Sequence, residues 1–85
     1  MADIVLVEDE EVLRRTLARA LVKLGHRVRE FETAEEALAV ISGGPPDLLF
    51  TDNRLPGMTG MELLARVHDS WPDVVIIMMT AYGSV

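Results

Sequence analysis

Ile4-Val5-Leu6-Val7-Glu8-Asp9-Glu10-Glu11 passes from four apolar residues straight into four acids. The apolar part shows no polar alternation, which is the pattern of a strand covered on both faces, as inner strands of a parallel sheet are. The same arrangement returns in Leu48-Leu49-Phe50-Thr51-Asp52, and a third run, Val74-Val75-Ile76-Ile77-Met78-Met79, ends on the hydroxyl of Thr80. If these runs are neighbouring parallel strands, Glu8, Asp9 and Asp52 meet at one sheet edge, where a divalent cation relieves their repulsion.

The segments between the runs read as helices. From Glu11 to Leu24, the residues Leu13, Leu17, Ala20, Leu21 and Leu24 recur at helical spacing, with Arg14, Arg15, Arg19 and Lys23 at the other positions and Gly25 as the stop. Val28 to Phe31 is a short strand, polar enough to predict an edge position. Thr33 with Glu36, and Thr59 with Glu62, are capping-box patterns that open a helix over residues 34–41 and another carrying Met61, Leu63, Leu64 and Val67. Ser42-Gly43-Gly44-Pro45-Pro46 reads as a loop within one domain, and Trp71-Pro72-Asp73 as a break before the last strand. Strand and helix thus alternate, which predicts parallel strands with helices on both faces.

Composition narrows the function classes. With 85 residues, about half of them apolar, the chain is one small globular domain. Its 14 acids against 8 bases give a net charge of −6, which argues against direct contact with nucleic acid or an anionic membrane, since both demand a basic face. The absence of cysteine removes disulfides and thiolate metal sites and fits a cytoplasmic protein. No apolar run approaches membrane-spanning length. His26 and His68 are isolated and read as surface or loop residues, and Met58, Met61, Met78 and Met79 as packing.

Ligands of open parallel sheets bind beyond the carboxyl ends of the strands, where the winding reverses. Magnesium favours hard oxygens and keeps several waters, so two or three carboxylates and one backbone carbonyl suit it. Such a cation lets a phosphate approach an acidic pocket, where a carboxylate can attack phosphorus to form an acyl phosphate. Asp52, just past a central strand, is the natural nucleophile, with Thr80 available to hydrogen-bond the transferred phosphoryl oxygens.

Taken together, Val7-Glu8-Asp9-Glu10, Asp47-Leu48-Leu49-Phe50-Thr51-Asp52, Leu55-Pro56-Gly57-Met58-Thr59-Gly60 and Met79-Thr80-Ala81 resemble the receiver domain of bacterial response regulators, in order along the whole chain. The resemblance implies an α/β, flavodoxin-like (CheY-like) doubly wound parallel sheet of strand order 2-1-3-4. The family's fifth strand and fifth helix would lie beyond Val85, so that residues 1–85 form a receiver domain incomplete at its C-terminal end. It further implies that Asp52 accepts a phosphoryl group from a phosphohistidine of a sensor histidine kinase. Asp9 and Asp52 would hold Mg2+ directly, Glu8 would hold it through water, and the backbone carbonyl of Arg54 would complete the protein's share. Thr80 would be the switch hydroxyl, while the side chains of Arg54 and Tyr82 would tune phosphate loss.

A protein of this kind is a phosphoacceptor that assists its own phosphorylation and dephosphorylation, and it regulates transcription through an output domain carried elsewhere. The family's phosphoryl-pairing lysine belongs to the fifth strand, and the only lysine here, Lys23, lies along the first helix. Without a fifth strand the apolar fourth becomes a sheet edge, which predicts a longer natural protein, or a homodimer or swapped oligomer of the isolated segment. The main rival is a non-phosphorylated receiver-like dimerisation or scaffold module. A magnesium-dependent phosphohydrolase would want an acid where Arg54 stands, and a flavodoxin would want a Ser/Thr/Gly-rich loop where Glu8 to Glu11 stand.

Overall fold

The structure, a computed structural model, describes residues 1–79. In chain order its elements are β1 (Asp3–Val7), α1 (Glu11–Lys23), β2 (Arg27–Phe31), α2 (Ala34–Gly43), β3 (Leu48–Asp52), α3 (Gly60–Ser70) and β4 (Val75–Met79). The strands form one parallel sheet in the order β2-β1-β3-β4. This is the expected architecture. β1 and β3 are paired on both sides, whereas β4, an equally unbroken apolar run, has a partner strand on one side only among the described residues.

Side chains alternate across the sheet, and the two faces are covered differently. Val5, Val7 and Leu49 face α2 and α3, where they close a core with Ala34, Ala37, Ile41, Leu63 and Val67. Ile4 and Leu6 lie on the opposite face, buried under α1, which packs on β1 and β2. In register with them across the sheet stand Leu48 and Val75, and Phe50 and Ile77. Val75 and Ile77 keep 57% and 43% of their surface exposed, so among the described residues β4 forms an apolar margin on the α1 face.

The helix ends follow local chemistry. α3 opens with a complete capping box, in which Thr59 Oγ1 accepts from the Glu62 amide at 3.1 Å and Glu62 Oε1 accepts from the Thr59 amide at 3.0 Å. The matching pattern at α2 is only half made. Thr33 Oγ1 accepts from the Glu36 amide, but the Glu36 carboxylate bonds the Thr33 hydroxyl at 3.1 Å instead of the Thr33 amide. α1 ends where Gly25 takes a φ of 94°, a left-handed conformation that favours glycine. α3 runs out at Trp71, whose amide donates to the Val67 carbonyl and whose carbonyl accepts from the Val74 amide just before β4.

The facing of α1 corrects the sequence reading. Arg14 and Ala18 are its buried residues, with Leu17 and Leu21 half-buried, whereas Leu13, Ala20 and Leu24 are exposed. The inward row is therefore 14, 17, 18 and 21, one position round from the stripe that the leucines suggest. Met61 also departs from expectation, being 55% exposed, while Met58 packs against the core.

Candidate metal centre

The sheet order reverses between β1 and β3, and their parallel register pairs Val7 with Thr51. The residues that follow, Glu8 and Asp52, therefore emerge side by side at the carboxyl edge of the two central strands, where such sheets bind ligands. Glu8, Asp9 and Asp52 each offer a carboxylate oxygen, and the three atoms lie within 4.8 Å of one another. Glu8 and Asp52 are buried, while Asp9 is exposed.

Electrostatics bear out the crowding. Burial pushes the Glu8 carboxyl from 4.5 up to about 7; the Glu10 amide, which donates to Glu8 Oε2 at 2.9 Å, pulls the other way, and Asp9 and Asp52 add to the rise. A group held this far up in a pocket of like charges suits a cation, which would supply the missing positive charge to hard oxygens.

The backbone around the acids is tied down. Glu8 donates its amide to the Phe31 carbonyl on β2, and Asp52 Oδ1 accepts from the Arg54 amide at 3.2 Å. The Arg54 amide thus stands next to the Asp52 carboxylate. Asn53 joins the last two elements, donating its amide to the Met79 carbonyl at the end of β4. The Asn53 carbonyl accepts from the Gly60 amide and its Oδ1 from the Met61 amide, both at 3.1 Å, so the start of α3 is seated on the residue after Asp52. The expected switch hydroxyl, Thr80, and the tuning residue Tyr82 lie outside the described residues.

Two residues escape a reading of the sequence alone. Arg14 reaches beneath the acids: Nη1 donates to the Glu8 carbonyl at 3.1 Å, and Nε lies 3.4 Å from Glu30 Oε1, which also meets Arg15 at 3.6 Å. A buried arginine thereby holds the backbone that carries Glu8. The signal was the row it shares with Leu17, Ala18 and Leu21 at spacings of three, four and seven. Glu35, in the first turn of α2, accepts from the Met58 amide at 3.0 Å, a bond across 23 residues that no local pattern announces.

The remaining candidates fall outside the pocket. His68 is exposed, and His26 is half-buried at the other edge, its Nδ1 accepting from the Ala2 amide. No helix among the described residues is long and apolar enough to cross a membrane.

Comparison with known proteins agrees with this geometry. A family model described as the response regulator receiver domain matches residues 4–85. Among curated relatives, the response regulator protein FleR of Pseudomonas aeruginosa is 37% identical over 84 residues, covering 99% of this chain and 18% of the relative. The DNA-binding transcriptional regulator NtrC of Salmonella typhimurium is 37% identical over 78 residues, covering 92% and 17% respectively. The chain thus spans less than a fifth of the length of these relatives. Among solved structures, the response regulator protein TrrA of Thermotoga maritima, in complex with Mg(2+)-BeF, superposes with a TM-score of 0.93 at 34% identity, covering 98% of this chain and 72% of that one.

Proposed function

The chain belongs to the response regulator receiver domain family, and on that premise we propose that Asp52 accepts a phosphoryl group from a phosphohistidine of a sensor histidine kinase. The observation that carries this reading is the meeting of Glu8, Asp9 and Asp52 within 4.8 Å at the switch point of the sheet. In the transfer, an Asp52 carboxylate oxygen forms the new bond to phosphorus, the bond from phosphorus to the histidine nitrogen breaks, and the leaving imidazole takes up a proton.

The donor set fits Mg2+: Asp9 and Asp52 would bind it directly, Glu8 through water, and the Arg54 carbonyl from the loop. A bound Mg2+ would supply the positive charge that offsets the acids and the incoming phosphoryl oxygens. The chain's own residues do the rest. Arg14 fixes the backbone of Glu8, the Arg54 amide orients the Asp52 carboxylate, and Asn53 links that site to the end of β4. Thr80, one residue beyond β4, is assigned the switch hydroxyl that bonds the phosphoryl oxygens, with Arg54 and Tyr82 tuning the lifetime of the adduct. The domain is read as cytoplasmic, as the phosphoacceptor of a longer protein that regulates transcription, with no direct nucleic acid contact by this acidic segment.

The deciding experiment incubates the full-length protein with acetyl phosphate or a cognate kinase and Mg2+. A base-labile phosphoryl mass should appear and be lost in Asp52→Asn. No adduct, or an adduct that survives this substitution, would refute the assignment.

A second reading has one observation of its own. The apolar margin at Val75 and Ile77, on a strand with no charged residue, favours self-association of the isolated segment as a homodimer or swapped oligomer. A monomeric mass by light scattering would remove it.

A further inference from the structure

We propose that Glu35 is a positioning residue for the phosphoacceptor site: from the first turn of α2, its carboxylate pins the tip of the β3–α3 loop and so fixes the peptide of Arg54 beside Asp52. The proposal rests on the reading of Asp52 and Arg54 given above.

Residues 53–59 leave the acidic pocket and return to it at Gly60. At its base the loop is closed by the bonds from Gly60 and Met61 to Asn53, and in its middle Leu55 is buried in the core. The tip is held by Glu35, whose Oε2 accepts from the Met58 amide at 3.0 Å.

The neighbouring glycine lies against the same carboxylate. Gly57 has a φ of +74°, and a Cβ built there would stand 2.5 Å from Glu35 Oε2. The glycine therefore serves both a left-handed turn and the close approach of Glu35. Pro56, whose ring fixes its own φ, removes one of the torsions between this tip and Leu55. Without the carboxylate, Gly57 can adopt φ of either sign, and the loosening reaches Arg54 only as far as the buried Leu55 follows the tip. The Met58 amide, with Glu35's own, also holds the Glu35 carboxyl below its usual 4.5.

The test uses the full chain and the variants Glu35→Ala and Glu35→Gln, the second of which keeps an acceptor oxygen. Three quantities are read: hydrogen exchange at the Met58 amide, Mg2+ affinity by calorimetry, and the rate of phosphoryl uptake from acetyl phosphate at saturating Mg2+. Glu35→Ala should abolish protection at Met58 and weaken Mg2+ binding about three- to tenfold, at or below the low end of outer partners of metal sites because Glu35 is open to solvent. Glu35→Gln should recover more than half of both effects. Unchanged exchange at Met58 would overturn the proposal. So would lost protection with Mg2+ affinity and uptake rate at wild-type values. If the unmodified chain binds Mg2+ but Asp52 takes up no phosphoryl group, the phosphoacceptor reading alone fails, and the Mg2+ titration still decides the role of Glu35.

Discussion

Replacing Gly60 with alanine probes how closely α3 is seated on the phosphoacceptor strand. A Cβ at this position would run into the Asp52 carbonyl oxygen and lie 2.7 Å from Asn53 Cα and 2.9 Å from the Asp52 carbonyl carbon. All three are backbone atoms at the end of β3, a strand paired on both sides, so they cannot turn aside as a side chain would. A retreat of the start of α3 by about 0.7 Å would bring only the Asn53 contact to ordinary van der Waals distance, and the closer Asp52 carbonyl oxygen demands more. That movement stretches the Gly60 amide bond to the Asn53 carbonyl, now 3.1 Å. Overpacking of this kind costs about 1–3 kcal/mol, and the weakened hydrogen bond adds about 0.5–1.5 kcal/mol. Alanine returns about 0.5–1 kcal/mol through its helix preference. The net is a destabilisation of about 0.5–4 kcal/mol, each kcal/mol lowering the melting midpoint by about 4–8 °C. Urea unfolding followed by circular dichroism measures it, with Gly43→Ala as the control, because no atom lies within 4 Å of a Cβ there. A Gly60→Ala protein within about 0.5 kcal/mol of wild type would refute the close seating.

The other predictions concern the ties around the site. Glu8 has a folded pKa of about 7 against an ordinary 4.5, so its protonated form is the one that folding favours. Its contribution is whole below about pH 4.5 and is lost as pH rises through 7, a loss on the order of 2–4 kcal/mol in chelator. The stability difference between wild type and Glu8→Gln should follow that slope, and a flat difference between pH 5 and 8 would contradict the crowding. Arg14→Met removes the partner of the Glu8 carbonyl and of Glu30, and should cost about 1–3 kcal/mol because water can still reach Glu30. Unchanged urea stability would show that Arg14 holds nothing. Thr59→Ala removes one half of the capping box and should cost about 1 kcal/mol by the same assay, with Glu62→Ala giving a further loss, because the Glu62 carboxylate still accepts from the backbone amide of residue 59 once the threonine is gone.

Much of this molecule is legible from its chain because its main signals are local. Unbroken apolar runs of four or five residues mark the strands of a parallel sheet, and β1 and β3 are the two that sit at its centre, while β4 carries the same pattern at the margin. The acids follow those runs directly, and the strand order implied by the family resemblance, which no local signal carries, brings Glu8 and Asp52 together. α1 was harder. Its leucines cover a broad arc, and a residue moves by about 100° round the axis per position, so the choice of inward row depends on where β1 and β2 lie. Arg14 faces inward because its aliphatic stem packs like an apolar side chain while its guanidinium finds the Glu8 carbonyl and Glu30. The bond from Glu35 to Met58 was invisible for a similar reason. It joins two exposed segments that only tertiary structure brings together.

Trp71, the chain's single tryptophan, sits among Pro45, Pro46 and Pro72 at the edge where β3 and β4 begin. The acids lie at the opposite edge, a strand length or roughly 16 Å away. Its indole is therefore an optical gauge of unfolding with no direct view of the ion pocket. Emission melts with and without Mg2+ then read the thermodynamic coupling alone, while calorimetry reads occupancy, and agreement between them gives one dissociation constant from two independent signals.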